Sequence, residues 1–137
     1  MSGYSGTPLP KKLGIKEGHR IALLSAPEGF TETLGTLPDE VRPRMGLEGK
    51  SPLDVVVLFV TRRADLLRQL PSIRRHMAPA AGLWVAWPKK ASGVPTDVTE
   101  DVIRAVALPT GLVDNKVCAI DETWSGLRLV IRLENRR

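Results

Sequence analysis

One cysteine, Cys118, is present, so no disulfide can form within the chain, and a reducing compartment is the expected setting. Two histidines, His19 and His76, with that single thiol are too few for a thiolate–imidazole metal site, so no metal is expected. The longest apolar run is Val55 to Val60, far shorter than a membrane span. The opening "MSGYSGTPLPKKLG" has no apolar core of signal-peptide length. A soluble, cytoplasmic protein is the expectation. Aromatic residues make up 4% of the chain and form no run that could stack bases.

What is present suits one hydrophobic core. The 137 residues are 42% hydrophobic and 26% charged, the proportions of an ordinary globular domain. Twenty Lys and Arg against fifteen Asp and Glu leave a formal charge of +5, but no basic run exceeds a pair. A basic surface that aids solubility is therefore the first reading, and nucleic-acid binding the lesser one.

Residues 1–14 read as an arm ending in a short helix, and residues 15–137 as one α/β domain. Pro8 or Pro10 suits the first turn of that helix and Gly14 its end. Ile21–Leu24 reads as the first strand, and Phe30–Leu37 as a helix. Val41–Met45 contains Pro43, which confines a weak strand to a sheet edge. "LDVVVLFV" (Leu53 to Val60) is continuously apolar and β-branched, as a strand buried on both faces at the centre of a parallel sheet must be. Leu66, Leu70, Ile73 and Met77 recur at helical spacing, and Pro71 should kink that helix or start a second. "APAAG" should end it ahead of a buried strand, Leu83–Trp87. Val98–Leu108 reads as a helix with Asp97 as N-cap and Glu100 as its capping-box partner. Finally, Val117–Ile120 and Leu127–Leu133 flank "DETWSG" as an antiparallel hairpin at a sheet edge. Leu127, Leu129, Ile131 and Leu133 face one way, and Arg128, Val130 and Arg132 the other. Strand–helix alternation followed by a hairpin predicts a small three-layer α/β domain with a mostly parallel sheet.

The succession "LGIKEGHRIALL", "LDVVVLFV", "RRHMAPAAGLWVAW", "KVCAI" and "LRLVIRL" resembles a compressed class I methyltransferase fold, a Rossmann-like architecture. More narrowly, "GYSGTPLPKKLGIKEG", "APEGF", "WVAWPKKASG" and "TGLVDNKVCAIDETWSGLRLV" are similar to recurrent segments of the domain of unknown function 3052 family of small bacterial proteins. That resemblance implies a fold and no reaction. Against the methyltransferase pattern, the first turn lacks G-x-G. Ala26, Pro27 and Glu28 stand where a backbone would approach the cofactor, and proline removes an N–H donor. The second strand ends "RPRMGLEG", where Glu48, beyond Gly46, is a poor partner for ribose hydroxyls. Tight binding of S-adenosylmethionine is not expected, and no other cofactor is identified.

Ligands of such sheets lie beyond the carboxyl ends of the parallel strands. The first strand end offers Glu28 and Gly29, the central one Arg62 and Arg63, and the next Lys89, Lys90, Ser92 and Gly93. Four cations, a hydroxyl and loop N–H groups at one edge make a candidate anion cradle. The rival reading is a solvated face, with Arg62 and Arg63 at a helix start and the lysines paired to Asp97, Glu100 or Asp101. Asp121 and Glu122 offer acid or base, and Trp124 a lid, or else only an acidic turn with its tryptophan packed on the rim. Cys118 reads as a small core residue. Trp84 and Trp87 fall on opposite faces of their strand, and Trp87 or a folded-over arm carrying Tyr4 and Lys12 could reach the same crest. These features favour a non-catalytic binding or regulatory module for an anionic small molecule or protein partner. The alternatives are a diverged transferase and a nucleic-acid-binding accessory protein.

Overall fold

A computed structural model describes residues 7–47, 49 and 51–136. Among them, helix Leu9–Lys12 (α1) precedes strand Ile21–Leu24 (β1), helix Phe30–Leu34 (α2) and strand Leu53–Phe59 (β2). Helix Arg63–His76 (α3), strand Met77–Pro88 (β3) and helix Glu100–Ala107 (α4) follow, then strands Leu112–Ala119 (β4) and Trp124–Ile131 (β5). The strands form one five-stranded sheet in the order β1-β2-β3-β5-β4.

β2 is internal, as its unbroken apolar run requires. It pairs parallel with β1 (Ile21↔Val55 to Leu24↔Leu58) and with β3 (Val55↔Gly82 to Phe59↔Ala86). Its side chains divide by parity. Val56 and Leu58 meet Leu66, Leu70 and Ile73 of α3 and Ile103 of α4. Val55, Val57 and Phe59 meet Leu13, Phe30 and Leu34 on the α1–α2 side. The sheet is thus the middle of three layers, a Rossmann-like α/β domain closed by an antiparallel hairpin. Trp84, fully buried, anchors the second layer: its indole Nε1–H donates to the Leu13 carbonyl at 2.9 Å. Trp87 packs against the opposite core, as strand parity predicts.

Several elements differ from the sequence reading. α2 stops at Leu34, because Gly35 takes a φ of 81° and ends the helix. α3 runs unbroken through Pro71, which only lacks the N–H that would bond the Leu67 carbonyl. "APAAG" is not a turn: the chain enters β3 directly at Met77, and Ala78 to Ala81 form a bulge between the pairs Leu53↔Met77 and Val55↔Gly82. Val41–Met45 contributes a single parallel bridge, Ala22↔Arg44, where Pro43 breaks the donor row beside β1. Leu133 leaves the sheet and is exposed in a 3₁₀ turn, Leu133–Asn135. Only β4 is an edge strand of the hairpin, since β5 pairs with both β3 and β4.

The cap of α4 is also corrected. Thr99, not Asp97, is the N-cap, and its hydroxyl accepts the Val102 N–H at 3.2 Å. Glu100 turns to Arg104, whose guanidinium also bonds Asp114 of β4 at 3.0 Å and Asp101 at 3.2 Å. Hydrogen bonds to Asp114 and Glu100 hold that guanidinium above its ordinary pKa. No helix among the described residues is long and apolar enough to cross a membrane.

Candidate ligand-binding crest

The carboxyl ends of β1, β2 and β3 lie on one side of the sheet and form its crest. β1 is followed by Ser25, which has a positive φ of 56°, and the turn closes with Gly29 at 85° as N-cap of α2. The Phe30 N–H bonds the Pro27 carbonyl at 3.1 Å, which closes the turn. Pro27 has no N–H, and Glu28 and Gly29 are exposed. Beneath this turn Phe30 sits edge-on to Phe59 at 4.7 Å, and Phe59 edge-on to Trp124 at 5.0 Å. Trp124 therefore joins the α1–α2 core from the rim.

At the end of β2 the loop from β3 folds back. The Thr61 carbonyl accepts from the Thr96 hydroxyl at 2.6 Å and the Asp97 N–H at 3.3 Å. The Asp97 carboxylate then accepts the Arg63 N–H at 2.7 Å. Asp97 thus places negative charge at the start of α3, where an external anion would otherwise be favoured. The side chains of Arg62 and Arg63 are exposed and bond no other described residue.

At the end of β3, Lys89 is tied to the hairpin loop. Its N–H bonds the Thr123 carbonyl at 2.8 Å, and its ammonium the Asp121 carbonyl at 2.7 Å. Both acceptors are neutral, so the lysine charge stays at the crest. The Ser92 hydroxyl donates to the Lys89 carbonyl at 2.6 Å and accepts the Val94 N–H at 3.2 Å, while the Gly93 N–H bonds the Lys90 carbonyl at 3.3 Å. Lys90 is exposed and unbonded among the described residues. Arg62, Arg63 and Lys90 are therefore the side chains left open to a ligand, with Lys89 a fixed charge beside them.

The rival site residues are taken up in structure. The Asp121 carboxylate accepts the N–H groups of Thr123 and Trp124, both at 2.8 Å, as an Asx turn does. Cys118 is half-buried, and that burial pushes its thiol pKa up, against the pull of Lys12 and Lys116. His76 Nδ1 lies 2.8 Å from the Ser72 carbonyl, and His19 Nδ1 accepts the Lys16 N–H at 3.1 Å. Lys12 reaches the Ala119 carbonyl at 2.9 Å. Tyr4 and Glu48 lie outside the described residues. Sequence reasoning missed a separate cleft, of about 490 Å³, on the α1–α2 side of the sheet. Its signal was Arg128, a charge in the middle of an apolar strand.

The fold has solved counterparts. A methyltransferase dependent on S-adenosylmethionine from Aquifex aeolicus superposes with a TM-score of 0.62 at 15% identity, over 88% of this chain and 87% of its own. The Methanococcus jannaschii fibrillarin pre-rRNA processing protein gives 0.61 at 12% identity, over 94% and 70%. Aeropyrum pernix fibrillarin, in complex with natively bound S-adenosyl-L-methionine, gives 0.58 at 15%, over 93% and 70%. The architecture is methyltransferase-like. No protein-family model and no curated protein matches the sequence.

Proposed function

We propose that the chain is a non-catalytic binding module. It keeps the sheet of a class I methyltransferase without the cofactor turn, and takes an anionic small molecule or an acidic partner segment at the crest. The observation that carries this reading is the proline-blocked first turn: Pro27 gives no N–H, and its carbonyl accepts the Phe30 N–H. A methyltransferase-type turn instead needs open backbone close to its ligand. Arg62, Arg63 and Lys90 supply the recognition, with charge-assisted hydrogen bonds worth roughly 1.5–3 kcal/mol each before desolvation. Lys89, Ser92 and Gly93 hold the loop that carries Lys90.

The test is a thermal-shift screen of nucleotides, phosphorylated metabolites and S-adenosylmethionine. A ligand at a hundred times its Kd should stabilise the native state by about 2.7 kcal/mol. Arg62→Ala combined with Arg63→Ala should abolish that shift for a crest ligand. If the shift survives, the crest is a solvated face.

A second reading, a diverged transferase whose donor binds differently, is favoured by the shared architecture, including the fibrillarin with bound S-adenosyl-L-methionine. Methyl transfer from labelled donor to any acceptor by the purified chain would support it over the first.

A further inference from the structure

The cleft on the α1–α2 side lies away from the crest, over the amino-terminal half of the parallel strands. Asp54 and Val55 open β2 there, and Ala80 stands in the bulge of β3. Its floor is apolar, built by Leu13, Val55 and the buried Trp84. Its walls carry Lys11, Lys12, Lys16, Lys116 and Arg128. The carboxylate among the lining residues is Asp54, and its Oδ2 already accepts the Arg20 N–H at 2.8 Å. Lys12 donates from its ammonium to the Ala119 carbonyl at 2.9 Å.

Arg128 is the unusual member. It stands opposite Trp84 in the β3–β5 register, so it shares the cleft face, while its neighbours Leu127 and Leu129 enter the other core. Its guanidinium lies over Gly82: a Cβ added there would come within 2.5 Å of Nε and 2.8 Å of Cζ. Glycine at that position makes room for the arginine. Its side-chain partner is Asn115 Oδ1 at a long 3.4 Å, and it has no carboxylate partner among the described residues. Burial, with the nearby Arg136 second, holds its pKa below the ordinary value. A half-buried cation without a counter-charge is costly to the fold.

A second irregularity converges on the same place. The β4–β5 ladder runs Asp114↔Leu129 and then Lys116↔Arg128, so Asn115 is an extra residue in β4. Such bulges re-aim side chains beside functional sites, and both Asn115 and Lys116 line this cleft. The volume is that of a small-molecule pocket, and an apolar floor under a cationic wall suits an organic body with oxyanions attached. Arginine offers a planar fork to such a group and lysines add point charges.

We infer that this cleft is a second ligand site, for a small molecule bearing two or more phosphate groups. The charge count sets the number of phosphates: among the described lining residues there are five cations and one carboxylate, which is already bonded. The site is independent of the crest, and its test does not depend on that reading.

The probe is inorganic pyrophosphate, titrated calorimetrically into the full chain at low salt, with ADP, orthophosphate and a short single-stranded oligonucleotide as parallel arms. One pyrophosphate per chain should bind, more tightly than orthophosphate, and ADP should bind at least as well if the apolar floor takes the nucleoside. Arg128→Gln should weaken binding at least tenfold, and Arg128→Lys, which keeps the charge and loses the fork, several-fold. Lys16→Ala with Lys116→Ala should weaken it further, whereas Arg62→Ala with Arg63→Ala should leave it unchanged. Circular dichroism of each variant checks the fold, and Arg128→Lys keeps the test informative should Arg128→Gln unfold. No saturation at millimolar pyrophosphate, equal binding by wild type and a folded Arg128 variant, or tight binding of the oligonucleotide alone overturns the inference.

Discussion

The Asp97 carboxylate accepts the backbone N–H of Arg63 at 2.7 Å, bridging the loop after β3 to the first turn of α3. The same residue's N–H bonds the Thr61 carbonyl at 3.3 Å. One loop residue thus closes the crest over the end of β2 and neutralises the helix start that would attract an anion. Asp97→Ala should lower stability by about 1 kcal/mol, as loss of a helix cap does. The expected fall in Tm is a few degrees for a chain of this length. Asp97→Asn, which retains the acceptor, should recover most of it. Thermal unfolding followed by circular dichroism checks both. Equal Tm values for all three proteins would remove the cap from the account.

Gly82 and Arg128 form a coupled pair. In Gly82→Ala the new methyl meets the guanidinium rather than backbone, so the arginine swings away and the fold survives. Arg128→Met should raise stability, by about 1 kcal/mol, because it removes a poorly paired charge from a half-buried place. Gly82→Ala should then have a smaller effect in the Arg128→Met background than in wild type. A double-mutant cycle by urea unfolding reads this coupling, expected at roughly 0.5–3 kcal/mol for residues in contact. Strict additivity would contradict the contact.

Cys118 supplies a pH prediction. Burial raises its thiol pKa above the ordinary 9.0 in the folded chain. The fold therefore binds this proton more tightly than the unfolded chain does. The associated stability is present below about pH 9 and is lost as pH rises through the folded value. Alkylation by iodoacetamide near neutral pH should be slower in the native chain than in the urea-unfolded one. Equal rates would mean that the thiol is more open than its place in β4 suggests. Cys118→Ser should flatten the alkaline part of the stability profile.

Much of the fold was legible in the residues. The apolar run from Leu53 gave a central strand because only a two-sided core can cover it, and the 3.6-residue stripe Leu66, Leu70, Ile73 gave the face of α3. What failed was local chemistry with two solutions. Asp97 and Thr99 are both good caps, and the register of the loop gave α4 to Thr99 and α3 to Asp97. "APAAG" carries turn residues, yet β2 pairing on both sides of it holds the segment in a bulge. At the crest, the basic residues were named, but their partners lie in distant segments: Lys89 with Asp121, and the Arg63 N–H with Asp97. The cleft was illegible because Lys11, Lys16, Lys116 and Arg128 meet only once β3 and β5 pair. The one local hint, an arginine at an inward-alternating position, needed Gly82 across the ladder to be read.

The central claim is a methyltransferase-type sheet whose first turn does not take the cofactor. Calorimetric titration of S-adenosylmethionine into the full chain tests it most directly. The turn at Pro27 and Gly29, closed by the Phe30 N–H, predicts no saturable heat at micromolar concentrations. Binding with a micromolar or tighter Kd, about −8 kcal/mol or better, would contradict it.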